Sequence, residues 1–245
     1  GAGPFPQTYF DLNREKDMLL KKADIKKKQF FERYLKYTNS FPSTHHLPFA
    51  GEYILGGKLV ELNQYRGVSD AFEVTEFDKK ALVFNTGGYI NLLNNSIVDI
   101  RNEKYRQDDV NIKLEEIQFN KLDYEIDFPL TFDKINFIRL LKKASSNALR
   151  KSELQEQYYF IFSITENDEV IKRFLCNCLD SKITELNLQE EIELDFYSEI
   201  IIDYRYFFGL LTTVYHWNNA EVGSLYFTRR HPVDNNMPSA QSYLN

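Results

Sequence analysis

Glycine is scarce in this chain, ten residues in 245. Even so, Gly51, Gly56, Gly57 and Gly67 crowd into one segment, Leu47-Pro48-Phe49-Ala50-Gly51-Glu52-Tyr53-Ile54-Leu55-Gly56-Gly57-Lys58, which closes at Arg66-Gly67-Val68. Glycine concentrates where a backbone turns left-handed or passes very close to another group. The segment therefore predicts a shaped loop rather than a continuous helix or strand.

Around this loop the residues point to an ordered α+β chain. With 43% hydrophobic and 15% aromatic residues, including twenty Phe and sixteen Tyr, the chain can bury a substantial core. The formal net charge of −6 argues against nucleic acid as a partner, since phosphate binding draws on concentrated Lys and Arg. No apolar run approaches the roughly 20 residues that span a bilayer, so no membrane span is expected. Gly1 to Phe10 lack the pattern of a signal peptide. Cys176 and Cys178 sit too close for a good intra-strand disulfide. A soluble cytoplasmic protein is the expectation, and the opening Gly1-Ala2-Gly3-Pro4-Phe5-Pro6 reads as a loop cut from a longer protein.

Periodicity predicts a helix over 11–40, with Leu19, Ala23, Phe30, Tyr34 and Tyr37 on one stripe. Thr44 to Phe49 reads as extended, Lys58 to Tyr65 as a short helix, and Ala81 to Phe84 as a strand before a Thr86-Gly87-Gly88 turn. Asn91 to Asp127 has weak periodicity and reads as a surface excursion. Beyond Phe128, Thr131 is placed to cap a helix carrying Phe137, Leu141, Ala144 and Ala148. Tyr158 to Ile164 is apolar on both faces and reads as a buried strand, turning at Glu166-Asn167-Asp168 into Val170 to Cys176. The alternation of 191–196 predicts a half-exposed strand, and Ile200 to Ile202 extends the sheet. Asp203 caps a helix through Tyr204, Phe207, Phe208 and Leu211, and a last strand lies near Leu225 to Thr228.

Chemistry-bearing residues are few. Histidine occurs only at His45, His46, His216 and His231, while a catalytic zinc commonly takes three protein ligands plus water. His45 and His46 are candidates for one metal ligand, although neighbours on a strand face opposite ways. Cys176 and Cys178 read as buried small hydrophobes. The Gly56-Gly57-Lys58 triplet is a candidate anion cradle at a helix start, set against close backbone packing. His216-Trp217-Asn218-Asn219 is a candidate ligand site at a helix-to-strand junction, set against a hydrogen-bonded turn that anchors the Trp. The candidate ligand-binding set is thus Gly51, Gly56, Gly57, Lys58, His216, Trp217, Asn218 and Asn219, with no catalytic residue named.

Taken together, Gly1-Ala2-Gly3-Pro4-Phe5-Pro6-Gln7, the Lys-rich helix and Pro48-Phe49-Ala50-Gly51-x-Tyr53-x-Leu55-Gly56-Gly57-Lys58 resemble the second half of bacterial metallo-β-lactamase-fold hydrolases. The similar branches are lactonase-like, phospholipase-like and related to CMP-sialic acid hydroxylase. His216-Trp217-Asn218-Asn219-Ala220-Glu221-Val222-Gly223 resembles the tail of such proteins. The resemblance implies half of an αββα sandwich over 1–127, followed by a small α+β domain over 128–245 whose element order resembles sterol-carrier-like domains. It also implies a metal site built mainly from a His-x-His-x-Asp-His motif that this chain lacks, with Ala50 at the position matching the family's closing metal histidine.

Divalent metal (zinc, iron or manganese) is then expected in an intact parent and not in this chain alone. A missing N-terminal half or a homo-oligomer would cover the sheet. The reading is the C-terminal portion of a metal-dependent hydrolase without catalytic activity of its own. The alternative is a non-catalytic binding or interaction module with an apolar ligand or protein partner.

Overall fold

The computed structural model describes residues 6–49, 53–152 and 154–233. The chain is α+β and divides into two compact units, Gly1–Lys16 together with Leu122–Asn245, and Asp17–Lys121.

Within Asp17–Lys121 most of the long helix α1 (Lys16–Ser40) is solvated, burying only Leu19 and Ala23. Its predicted stripe is longer than the buried one, with Tyr37 exposed. The extended segment before the glycine loop makes one parallel bridge, His46 to Ala81. After the loop comes a 3-10 helix over Gly57–Tyr65, and another spans Ala71–Glu76, capped by Asp70 accepting from the Phe72 N–H.

The strand expected at Ala81 to Phe84 begins later. Strand β1 (Phe84–Asn91) runs through Thr86-Gly87-Gly88 and pairs antiparallel with β2 (Ser96–Ile100), its register shifting between Phe84 and Tyr89. The two glycines therefore sit in an irregular stretch of strand rather than a turn, as glycine inside a strand often does. Helix α2 (Gln107–Ile117) follows, with no side chain buried. So the 91–127 stretch, expected to be a surface excursion of weak periodicity, holds a strand and a helix.

The other unit is built on helix α3 (Phe137–Ser152), reached through a 3-10 turn over Phe132–Lys134. Thr131 occupies the cap of that turn but makes no side-chain bond there, while Asn136 Oδ1 accepts from the Arg139 N–H at 3.0 Å. Strands β3 (Tyr159–Glu166) and β4 (Glu169–Asn177) form the expected hairpin. Asn167 and Asp168 both have positive φ, 51° and 66°, as a two-residue hairpin turn requires.

Strand β5 (Lys182–Leu186) pairs with β4, and β6 (Tyr197–Asp203) lies parallel to β3. The strand expected at 191–196 is instead part of the connection from β5 to β6. Parallel neighbours require such a crossover, and the Arg173 guanidinium ties its start by donating to the carbonyls of Leu188 and Glu190 at 3.3 and 2.9 Å. Helix α4 (Tyr204–Leu211) is capped by Asp203, whose carboxylate accepts from the Arg205 N–H at 2.9 Å. Helix α5 (Trp217–Val222) and edge strand β7 (Phe227–His231) complete the sheet order β5-β4-β3-β6-β7.

One sheet face presents Phe160, Phe162, Ile164, Phe174, Cys176, Ile200 and Ile202 to α3 and α4. Phe207, fully buried, stacks near Phe162 at 5.1 Å and Phe137 at 5.8 Å. Burying a side chain of that size contributes roughly 1.5–3 kcal/mol. Cys176 and Cys178 both lie in this core as free thiols.

Candidate functional site

The glycine loop is held by a side chain that sequence reading passed over. Asn63, in the first 3-10 helix, accepts from the Leu55 N–H at 2.8 Å and donates to the Leu55 carbonyl at 2.8 Å. Gly57 adopts φ +59°, the left-handed turn into that helix, whereas a side chain at Gly56 would make only ordinary contacts with Ile117. Gly67, at φ +61°, lies so close to α1 that a Cβ would meet the Ala23 carbonyl oxygen at 2.6 Å. Lys58 is exposed, and Gly51 lies outside the described residues. Gly57 and Gly67 thus answer to backbone geometry.

His45 is exposed. His46 is almost covered, and its Nδ1 lies 2.6 Å from Asp78 Oδ2, which also accepts from the Tyr34 hydroxyl at 2.6 Å. A carboxylate facing Nδ1 makes that nitrogen the donor, leaving Nε2 with its lone pair in the neutral ring. His46 Nε2 is buried without a hydrogen-bond partner among the described residues. Burial would raise the Asp78 carboxyl, but hydrogen bonds from Tyr34, His46 and the Lys80 N–H outweigh it and hold the group below the usual carboxylate range. The Tyr34 hydroxyl is pushed up by burial and by the same carboxylate.

The histidine pair therefore divides into one solvated ring and one oriented ring. Asp78, Tyr34 and Asn63 are brought in by the fold. Asp78 lies 32 residues from His46 and 44 from Tyr34, spacings that no local pattern announces, while Asn63 reaches back eight residues to Leu55.

His216, Trp217, Asn218 and Asn219 do not converge. Trp217 packs near Phe162, Phe207 and Tyr226 at 6.4, 6.3 and 5.7 Å, while His216, Asn218 and Asn219 are exposed. Glu221 nearby accepts from the Tyr9 hydroxyl at 2.7 Å. The indole is thus packed at the start of α5, where His216 makes no side-chain cap bond. Among the described residues no group of three or more His, Cys, Asp or Glu side chains is placed to hold a metal ion. Of the two candidate histidine ligands, His46 is held by a carboxylate and His45 is exposed.

The chain matches no protein-family model and no curated protein sequence. Among solved structures it is similar to the crystal structure of Sterol Carrier Protein-2 like-3 from Aedes aegypti, at 14% identity and a TM-score of 0.34, over 45% of this chain and 92% of that one. No helix among the described residues is long and apolar enough to cross a membrane.

Proposed function

We propose that this chain is the C-terminal portion of a metallo-β-lactamase-like metal-dependent hydrolase, inactive by itself, whose Asp17–Lys121 unit packs against a metal-bearing half. The observation that carries the reading is the apolar surface of that unit. Phe49, Leu92, Leu93 and Phe119 are 84–98% exposed, and Leu47, Tyr89 and Ile112 are more than half exposed. Soluble monomers rarely leave a large contiguous apolar patch in water, and the reading takes these side chains as one such face. The Pro48-to-Lys58 motif supports the family, and His46, held by Asp78 with Nε2 directed away from the carboxylate, suits a single contribution to a centre assembled mostly from other residues.

The zinc, iron or manganese of such a hydrolase belongs to the parent in this reading, and no step is assigned to it in this chain. Metal content of the intact parent tests the proposal: stoichiometric metal after refolding with one of the three is expected. A parent that takes up none of them would overturn it.

A second reading, a non-catalytic binding module, is favoured by a groove of about 390 Å³ on the Leu122–Asn245 unit. Thermal shifts against lipids but not metals would prefer this reading.

A further inference from the structure

The groove runs along edge strand β7, between the turn at residues 9–15 and the ends of β6 and β7. Its volume falls within the roughly 300–1,000 Å³ of small-molecule sites. Three carboxylates line it, and each is already committed. Asp11 Oδ1 accepts from the Asn13 N–H at 2.8 Å, and Glu15 Oε2 accepts from the Asp11 N–H at 3.0 Å. Glu199 accepts from the Ser163 hydroxyl at 2.5 Å and sits 3.7 Å from the Arg173 guanidinium behind the groove.

The cations are less engaged. Arg14 is exposed, and its guanidinium has no hydrogen-bond or ion-pair partner among the described residues. Arg229, 58% exposed, lies 3.8 Å from Glu199 Oε2 and over the Phe227 ring at 5.9 Å. Beside them the His231 and Tyr197 rings stack at 5.3 Å and 20°. In a chain of net charge −6, the three carboxylates of this groove are matched by three arginines, Arg14, Arg229 and Arg230, so its lining is locally neutral, and Arg14 and Arg229 are the two that are exposed.

We propose that this groove binds a small organic oxyanion, a phosphate or carboxylate carried on a flat ring. Arg14 and Arg229 hold the oxyanion, as guanidinium groups hold phosphate or carboxylate by paired N–H donors. The His231–Tyr197 pair receives the ring. The site does not depend on the hydrolase reading, so either can fail alone.

Calorimetric titration of the whole chain with phenyl phosphate and with inorganic phosphate tests it, alongside sedimentation with phosphatidylcholine vesicles with and without phosphatidylglycerol. Saturable binding of phenyl phosphate, tighter than inorganic phosphate, is expected. The double variant Arg14→Ala/Arg229→Ala should weaken it at least ~tenfold, and Arg139→Ala on α3 should not change it. Arginine-dependent binding to anionic vesicles alone would support the oxyanion site and assign its source to a lipid headgroup. Both arginines are exposed, so an unchanged melting temperature will show that the variants fold. Absence of saturable binding to every probe, or equal binding by the double variant, would overturn the proposal.

Discussion

Asp78 ties three separate segments of the Asp17–Lys121 unit together through one carboxylate. One oxygen faces both the Tyr34 hydroxyl and His46 Nδ1 at 2.6 Å, and the other accepts from the Lys80 N–H at 2.9 Å. A carboxylate that is 11% exposed and so bonded stabilises the fold in its ionised form. Its folded pKa lies below the unfolded one. The contribution is therefore complete above the unfolded pKa, about 3.9, and fades as pH falls through the lower folded value. Asp78→Asn keeps the shape and removes the charge, so it should cost about 1–3 kcal/mol at pH 7. Urea melts should show the difference from the parent shrinking below pH 4. A gap that is the same at pH 7 and pH 3 would deny the ionic origin. Sequence could name His46 but not its partners, because the pairing joins helix α1 and two segments distant from it in sequence.

Among the elements, legibility followed burial. Tyr158 to Ile164 announced β3 because both of its faces are covered, and Asp203 announced α4 because capping is local chemistry. The failures share a cause. Helix α2 buries no side chain and β2 is mostly exposed, so neither carries the apolar period that sequence reading detects. At 191–196 the alternation is real, but β6 already has β3 and β7 on its two sides, and alternation cannot report whether a neighbouring strand exists. The Cys176-x-Cys178 pair was legible for the opposite reason, since small apolar side chains on a buried strand belong to the core. In β4 and just beyond it, Cys176 faces Ser145 of α3 at 3.3 Å, and the Cys178 thiol is pushed up by its hydrogen bond with Cys176 and by burial. Both thiols should resist a disulfide reagent in the native protein at pH 8 and titrate fully in denaturant. Rapid native labelling would mean that α3 does not seal the sheet.

At the scale of the whole chain, the two units differ in how they are held together. The contiguous hydrophobic cluster has all its members at residues 122–226, around the five-stranded sheet. In Asp17–Lys121 the buried apolar residues are few, among them Leu19, Leu55, Tyr65 and Val74, while large side chains such as Phe49 and Phe119 stand in water. Local opening is easiest where few apolar contacts must be broken. Amide hydrogen exchange at pH 7 should therefore be slowest in β3 and β6 and at least ~tenfold faster in α2 and the β1–β2 hairpin. The same measurement bears on the proposed packing. If a metal-bearing half covers the apolar surface, its presence in the intact parent should slow exchange selectively in 84–117 and leave β3 and β6 as they are, because those strands already sit inside a closed core. Uniform protection of both units in this chain alone would mean that Asp17–Lys121 needs no cover, and the apolar side chains on its surface would then require another explanation.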